Sequence, residues 1–134
     1  MGNILLNKNI FPDLVLSSPA KRALSTAIII SNIIGYKENK IIIDRKLYMA
    51  ENDEFIEIIS KLNNKFKNIF VFGHNNGITD FANYCGSLHI ENIPTCGIVK
   101  IDFDIMDWCN IKNIKGNTDF FIYPKMFKNG AKII

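Results

Sequence analysis

Apolar residues in this chain fall into short unbroken runs that alternate with stretches of helical spacing. Leu14-Val15-Leu16, after Pro12-Asp13, reads as a buried strand. Ser17-Ser18-Pro19 follows, with Ser18 able to cap a helix and Pro19 suited to its first position. Ala20, Ala23, Leu24, Ala27 and Ile28 recur at helical spacing, and Gly35 stops the helix. Lys40-Ile41-Ile42-Ile43 predicts a second strand. A second helix from about Asp53 puts Phe55, Ile58, Ile59, Leu62 and Phe66 on one face. Asn68–Gly73 reads as a strand buried on both faces. His74-Asn75-Asn76-Gly77 breaks it, and a third helix carrying Ile78, Phe81, Ala82 and Cys85 runs to Gly86. Residues 97–103 and 106–111 resemble the two arms of a β-hairpin.

Strands alternating with helices predict an α/β fold, a mostly parallel sheet flanked by helices. Right-handed crossovers put the strand-to-helix turns on one edge of that sheet, where ligands of such folds bind. Two turns therefore carry the candidate chemistry. In the first, Arg22 lies in the first helical turn, where a cation opposes the helix dipole. Either it faces an anion together with free backbone N–H groups, or it lies over the helix in solvent. In the second, His74 ends a strand and precedes a helix. Either its imidazole meets an anion or moves a proton, or it bonds a backbone carbonyl. Taken together, an Arg and a His from two such turns would converge on a phosphate-sized pocket.

Composition narrows the options. At 134 residues and 48% apolar, the chain is one domain with a sizeable core. No apolar stretch is long enough for a membrane span, and the start lacks the pattern of a signal peptide. The net charge of +3 is scattered among carboxylates, which disfavours nucleic acid. Three cysteines, Cys85, Cys96 and Cys109, form no C-x-x-C pair and read as free thiols of a reducing, cytoplasmic setting. With two histidines, no metal site is expected. Fourteen lysines stand against two arginines, Arg22 and Arg45, so a retained Arg hints at a need for its fork of donors. There is no P-loop and no G-x-S-x-G elbow.

Five segments, in order, resemble the histidine phosphatase superfamily in its small phosphohistidine phosphatase branch. They are PDLVLSSPAKRALSTA (12–27), LYMA (47–50), VFGHNNGITDFANYCG (71–86), IPTCGIVKIDFD (93–104) with Trp108, and YPK (123–125). The resemblance implies a phosphoglycerate mutase-like three-layer sandwich over residues 1–134. It implies metal-free, cofactor-free phosphoryl transfer through a phosphohistidine. Arg22 matches the family's second arginine and His74 its second histidine. Ser18, Asn75 and Thr95 are expected beside them around the phosphate. Glu51, just after LYMA, is a candidate general acid.

The family's nucleophile lies in an Arg-His-Gly tripeptide after the first strand, and that tripeptide does not occur here. His89 comes after the third helix and cannot replace it. Met1-Gly2 aligns with a Met-Gly inside the family's first helix, so the resemblance implies an N-terminally truncated domain. Its missing first βα unit amounts to roughly 35–45 residues. The expected gap lies in the sheet interior, between the strand ending at His74 and the one starting near Gly97, with open edges through which copies could associate. The function implied is phosphate removal from a phosphorylated protein or small phosphomonoester, inactive without the nucleophile. The alternative is a non-catalytic module that binds phosphate or a phosphoprotein.

Overall fold

The structure is a computed structural model that describes residues 1–126. Its regular elements are α1 (Gly2–Asn7), β1 (Leu14–Ser17), α2 (Lys21–Ile34), β2 (Ile42–Ile43) and α3 (Asn52–Ser60), then β3 (Ile69–Phe72), α4 (Gly77–Cys85), β4 (Ile98–Asp102) and β5 (Asn117–Ile122). Strands β2, β1 and β3 form a parallel sheet in that order. In it Leu14 pairs with Ile69 and Leu16 with both Val71 and Ile42. Strands β4 and β5 form a separate antiparallel pair.

The alternation of side chains along the strands explains the layers. Leu14 and Leu16 point to one face with Phe55, Ile59 and Phe81, and Ile69, Val71 and Ile101 pack against that cluster. Phe70 and Phe72 point to the other face, against Leu5, Ile30 and Ile34, where Ile98 and Phe120 join them. Both sheets thus feed the same two clusters. They lie as two halves of one layer, with α1 and α2 on one side and α3 and α4 on the other. This is the mixed α/β, three-layer arrangement expected from the sequence.

Hydrogen bonds at the two ends give the relative direction of the halves. Beyond the carboxyl end of β3, Asn75 Nδ2 donates to the Ile93 carbonyl at 2.7 Å, shortly before β4 begins. At the amino end of β3, the Trp108 indole N–H donates to the Phe66 carbonyl at 2.7 Å, shortly after β4 ends. Hence β4 runs opposite to β3. Among the described residues the two strands are not paired. Between them lies a cavity of about 580 Å³, lined by Ile69–Phe72 on one wall and Ile98–Asp102 on the other.

Several expectations need correction. Residues 106–111 do not form a hairpin arm: β4 pairs with β5, with a bulge at Lys100/Ile101, and Trp108–Lys112 is a 3-10 turn. Bonds to Asn64 and Phe66 pull Trp108 toward the other half of the molecule and out of strand geometry. The helix expected after Ser18-Pro19, α2, begins at Lys21, since Ala20 is extended (ψ 135°) and the Ser18 hydroxyl accepts the Ala20 N–H instead of capping the helix. The run at 40–43 yields only Ile42–Ile43, both exposed. Helix α3 stops at Ser60, so Leu62 and Phe66 reach its cluster from the following turn. Strand β3 is half-buried along its whole length rather than enclosed on both faces. Gly35 does end α2, in the left-handed conformation (φ 85°) that glycine adopts without strain.

Candidate functional site

The turns after β1 and β3 lie side by side because their strands are hydrogen-bonded neighbours; the Ser18 N–H donates to the Phe72 carbonyl at 2.8 Å. Arg22 follows the first turn and His74 opens the second. Both line the carboxyl-end mouth of the cavity, with Asn75 and Thr95. Arg22 is exposed and forms no salt bridge among the described residues. Lys100, on the cavity wall, is different. Its ammonium is held by Asp102 at 2.6 Å and Asp119 at 3.1 Å. Partial burial pulls its pKa down, but the two carboxylates outweigh that and leave it raised. Its charge is already neutralised locally, while that of Arg22 is available to an incoming anion.

His74 is half-buried and is fixed by a loop that sequence reading noted only as a family segment. The Met49 N–H donates to His74 Nε2 at 3.3 Å, and the Tyr48 ring tilts against the imidazole at 5.6 Å. A neutral ring accepting at Nε2 carries its proton on Nδ1. Met49 holds a left-handed backbone (φ 53°) to aim that N–H. The loop can close over the start of α4 because residue 77 is glycine; a Cβ there would run into the Ala50 carbonyl.

The other expected residues divide. Asn75 reaches the cavity, but its side chain is engaged. Its Nδ2 donates to Asn92 Oδ1 at 3.0 Å and to the Ile93 carbonyl, and its Oδ1 accepts the Thr79 hydroxyl at 2.6 Å. Thr79 in turn accepts the Ile93 N–H at 3.0 Å. This network clamps the segment before Thr95 against α4. Thr95 is exposed at the mouth, and Cys96 beside it takes a left-handed conformation (φ 60°). Ser18 is fully buried, is outside the cavity lining, and spends its hydroxyl on Ala20. Glu51 sits in the capping box of α3, its N–H donating to Glu54 Oε1 at 3.1 Å. His89 opens on a separate pocket of about 260 Å³ with Glu91 and Tyr123. No cluster of three or more His, Cys, Asp or Glu among the described residues could hold a metal ion. None of the described helices is long and apolar enough to cross a membrane.

No protein-family model matches the chain, and no curated protein does. Solved structures do. The provisionally assigned phosphohistidine phosphatase SixA from Agrobacterium tumefaciens superposes with a TM-score of 0.70 at 16% identity, covering 92% of this chain and 75% of that one. Its counterpart from Nakamurella multipartitia gives 0.69 at 13% identity, covering 92% and 77%. The fold is therefore the phosphoglycerate mutase-like one of these SixA proteins. At such identity the likeness fixes the architecture, and the chemistry rests on the residues themselves.

Proposed function

We propose that this chain is a phosphohistidine phosphatase-like domain that grips a phosphoryl group with Arg22 and His74. The observation that carries the reading is their placement. A guanidinium with no carboxylate partner among the described residues and an imidazole, from two adjacent carboxyl-end turns of one parallel sheet, open on the same cavity. The guanidinium matches two phosphoryl oxygens with parallel N–H donors. The imidazole, released from Met49 and with its proton carried on Nε2, offers a donor to a third oxygen. The thiol of Cys96 and the hydroxyl of Thr95 border the same mouth.

These 134 residues hold the phosphate grip without the family's nucleophile. Of the two histidines, His74 is engaged by Met49 and His89 faces another pocket. Covalent transfer through a histidine placed in line with the phosphoryl group has no donor here. In this reading the ligand is a phosphorylated protein or a small phosphomonoester. Vanadate or phosphate titrated in calorimetry should bind at millimolar or lower concentration, with no release of phosphate from a phosphohistidine protein. Arg22→Lys should weaken binding by at least about tenfold, the loss of one bidentate contact. Absence of binding at millimolar ligand, or binding indifferent to Arg22→Lys and His74→Ala, would overturn the reading. Robust turnover by the chain would overturn the inactive assignment.

A further inference from the structure

The pocket beside His89 takes no part in the phosphate grip, yet its walls are fixed. It measures about 260 Å³ and opens between the loop before β4 and the end of β5. One wall is aromatic. Phe121 and Tyr123 have ring centroids 5.2 Å apart and planes tilted at 40°, and Phe121 packs on Ala82, Ile90 and Ile93. The other wall is the stretch 89–92, which hydrogen bonds hold at two points. The Ile90 N–H and carbonyl pair with the Asn83 amide at 2.8 and 2.7 Å. Asn92 Oδ1 accepts Asn75 Nδ2 at 3.0 Å. Between these points Glu91 is exposed and forms no salt bridge among the described residues. No described Lys or Arg lines the pocket.

These groups share one preference. Aromatic faces carry negative partial charge and a carboxylate carries a whole one, so the pocket suits a cation. The acceptors decide which cation. Glu91 brings two side-chain oxygens, and Asn92 and Tyr123 bring one each; exposed His89 adds a ring nitrogen when neutral. That exceeds the three donors of an ammonium, whereas a guanidinium offers five and a flat face that stacks on an aromatic ring. We propose that this pocket takes an arginine side chain of the ligand. Pro94 borders both this pocket and the cavity whose mouth holds Arg22 and His74. The ligand is therefore a phosphorylated polypeptide with an arginine near its phosphorylated residue, rather than a small phosphomonoester. This last step rests on the phosphate reading above; the guanidinium pocket stands on its own groups.

NMR titration of the full 134-residue chain at constant ionic strength tests both steps. The first probe is N-acetyl-arginine methylamide, taken to tens of millimolar. Its citrulline counterpart keeps the shape and loses the charge, and its lysine counterpart keeps the charge and loses the fork. The arginine probe should shift the amides of residues 89–92 and Tyr123. It should bind at least about tenfold more tightly than citrulline, and more tightly than lysine. Glu91→Gln should remove that preference and leave phosphate binding unchanged. No shift, an equal response to citrulline or lysine, or a preference that survives Glu91→Gln overturns the proposal. Lys128 and Lys132 lie outside the described residues. Arginine shifts that appear only when both are changed to Gln mean that the chain fills the pocket itself, and overturn it too. The second probe is a set of phosphoserine peptides with arginine or citrulline at each nearby position. In at least one of them arginine should tighten binding by about tenfold or more, an effect absent in Glu91→Gln. No difference at any position overturns the polypeptide assignment. Arg22→Lys should weaken phosphate binding and leave the arginine probe unaffected, so failure of the phosphate reading and failure of the pocket are told apart.

Discussion

Strands β1 and β3 are register partners with similar composition, Leu-Val-Leu-Ser beside Ile-Phe-Val-Phe, yet they live in different environments. Every residue of β1 is buried; every residue of β3 is half-buried. The difference lies in neighbours. Strand β1 has a strand on each side and helices above and below, while β3, among the described residues, pairs with β1 alone. An apolar run thus states what a strand can tolerate, and the surrounding sheet decides what it receives.

The largest test of that contrast compares the paired residues Leu14 and Ile69. Leu14→Ala, in β1, should cost about 2–5 kcal/mol in urea unfolding, because it leaves a cavity in a packed cluster. Ile69→Ala, in β3, should cost about 1 kcal/mol, since much of that side chain already meets the cavity between β3 and β4. Equal losses would mean that β3 is enclosed after all.

Cys85 asks how dry the inner wall of that cavity is. It borders the cavity yet is only 3% exposed, and burial pushes its thiol from 9.0 up to about 12. The raised pKa favours the neutral thiol in the folded state. Its contribution to stability is therefore whole below pH 9.0 and declines as pH rises toward about 12. The slope reaches about 1.4 kcal/mol per pH unit. Cys85→Ala should flatten that alkaline decline. An unchanged pH profile would mean that water reaches the thiol.

The smallest expected effect lies on the closed side. Ser31 on α2 is 1% exposed and its hydroxyl has no partner among the described residues. Ser31→Ala should therefore be neutral or stabilising by up to about 1 kcal/mol, seen as a small rise in the unfolding midpoint. A clear loss of stability would reveal a bond to this hydroxyl.

Much of this was legible beforehand because local signals agreed with the fold. Gly35, the apolar spacing of α2 and α4, and the order of strands and helices each specify local geometry directly. The break between β3 and β4 was legible as an expectation from the resemblance. The sequence did not reveal that β4 would reach past Trp108 to pair with β5, since that choice depends on Asn64 and Phe66, distant along the chain. Nor did it disclose how His74 is held. A backbone N–H such as that of Met49 has no side-chain signature, and its aim depends on a left-handed turn at a residue that rarely adopts one. Ser18 was misplaced for a related reason: a serine before Pro-Ala can cap a helix or brace a turn, and only the start of α2 at Lys21 decides between them.

Trp108 is the sole indole in the chain, and it borders the cavity between β3 and β4 while bonded to the Phe66 carbonyl. The molecule thereby contains an optical gauge of its own split. Its emission colour responds to water near the ring, so filling the gap should shift fluorescence toward the blue without any attached dye.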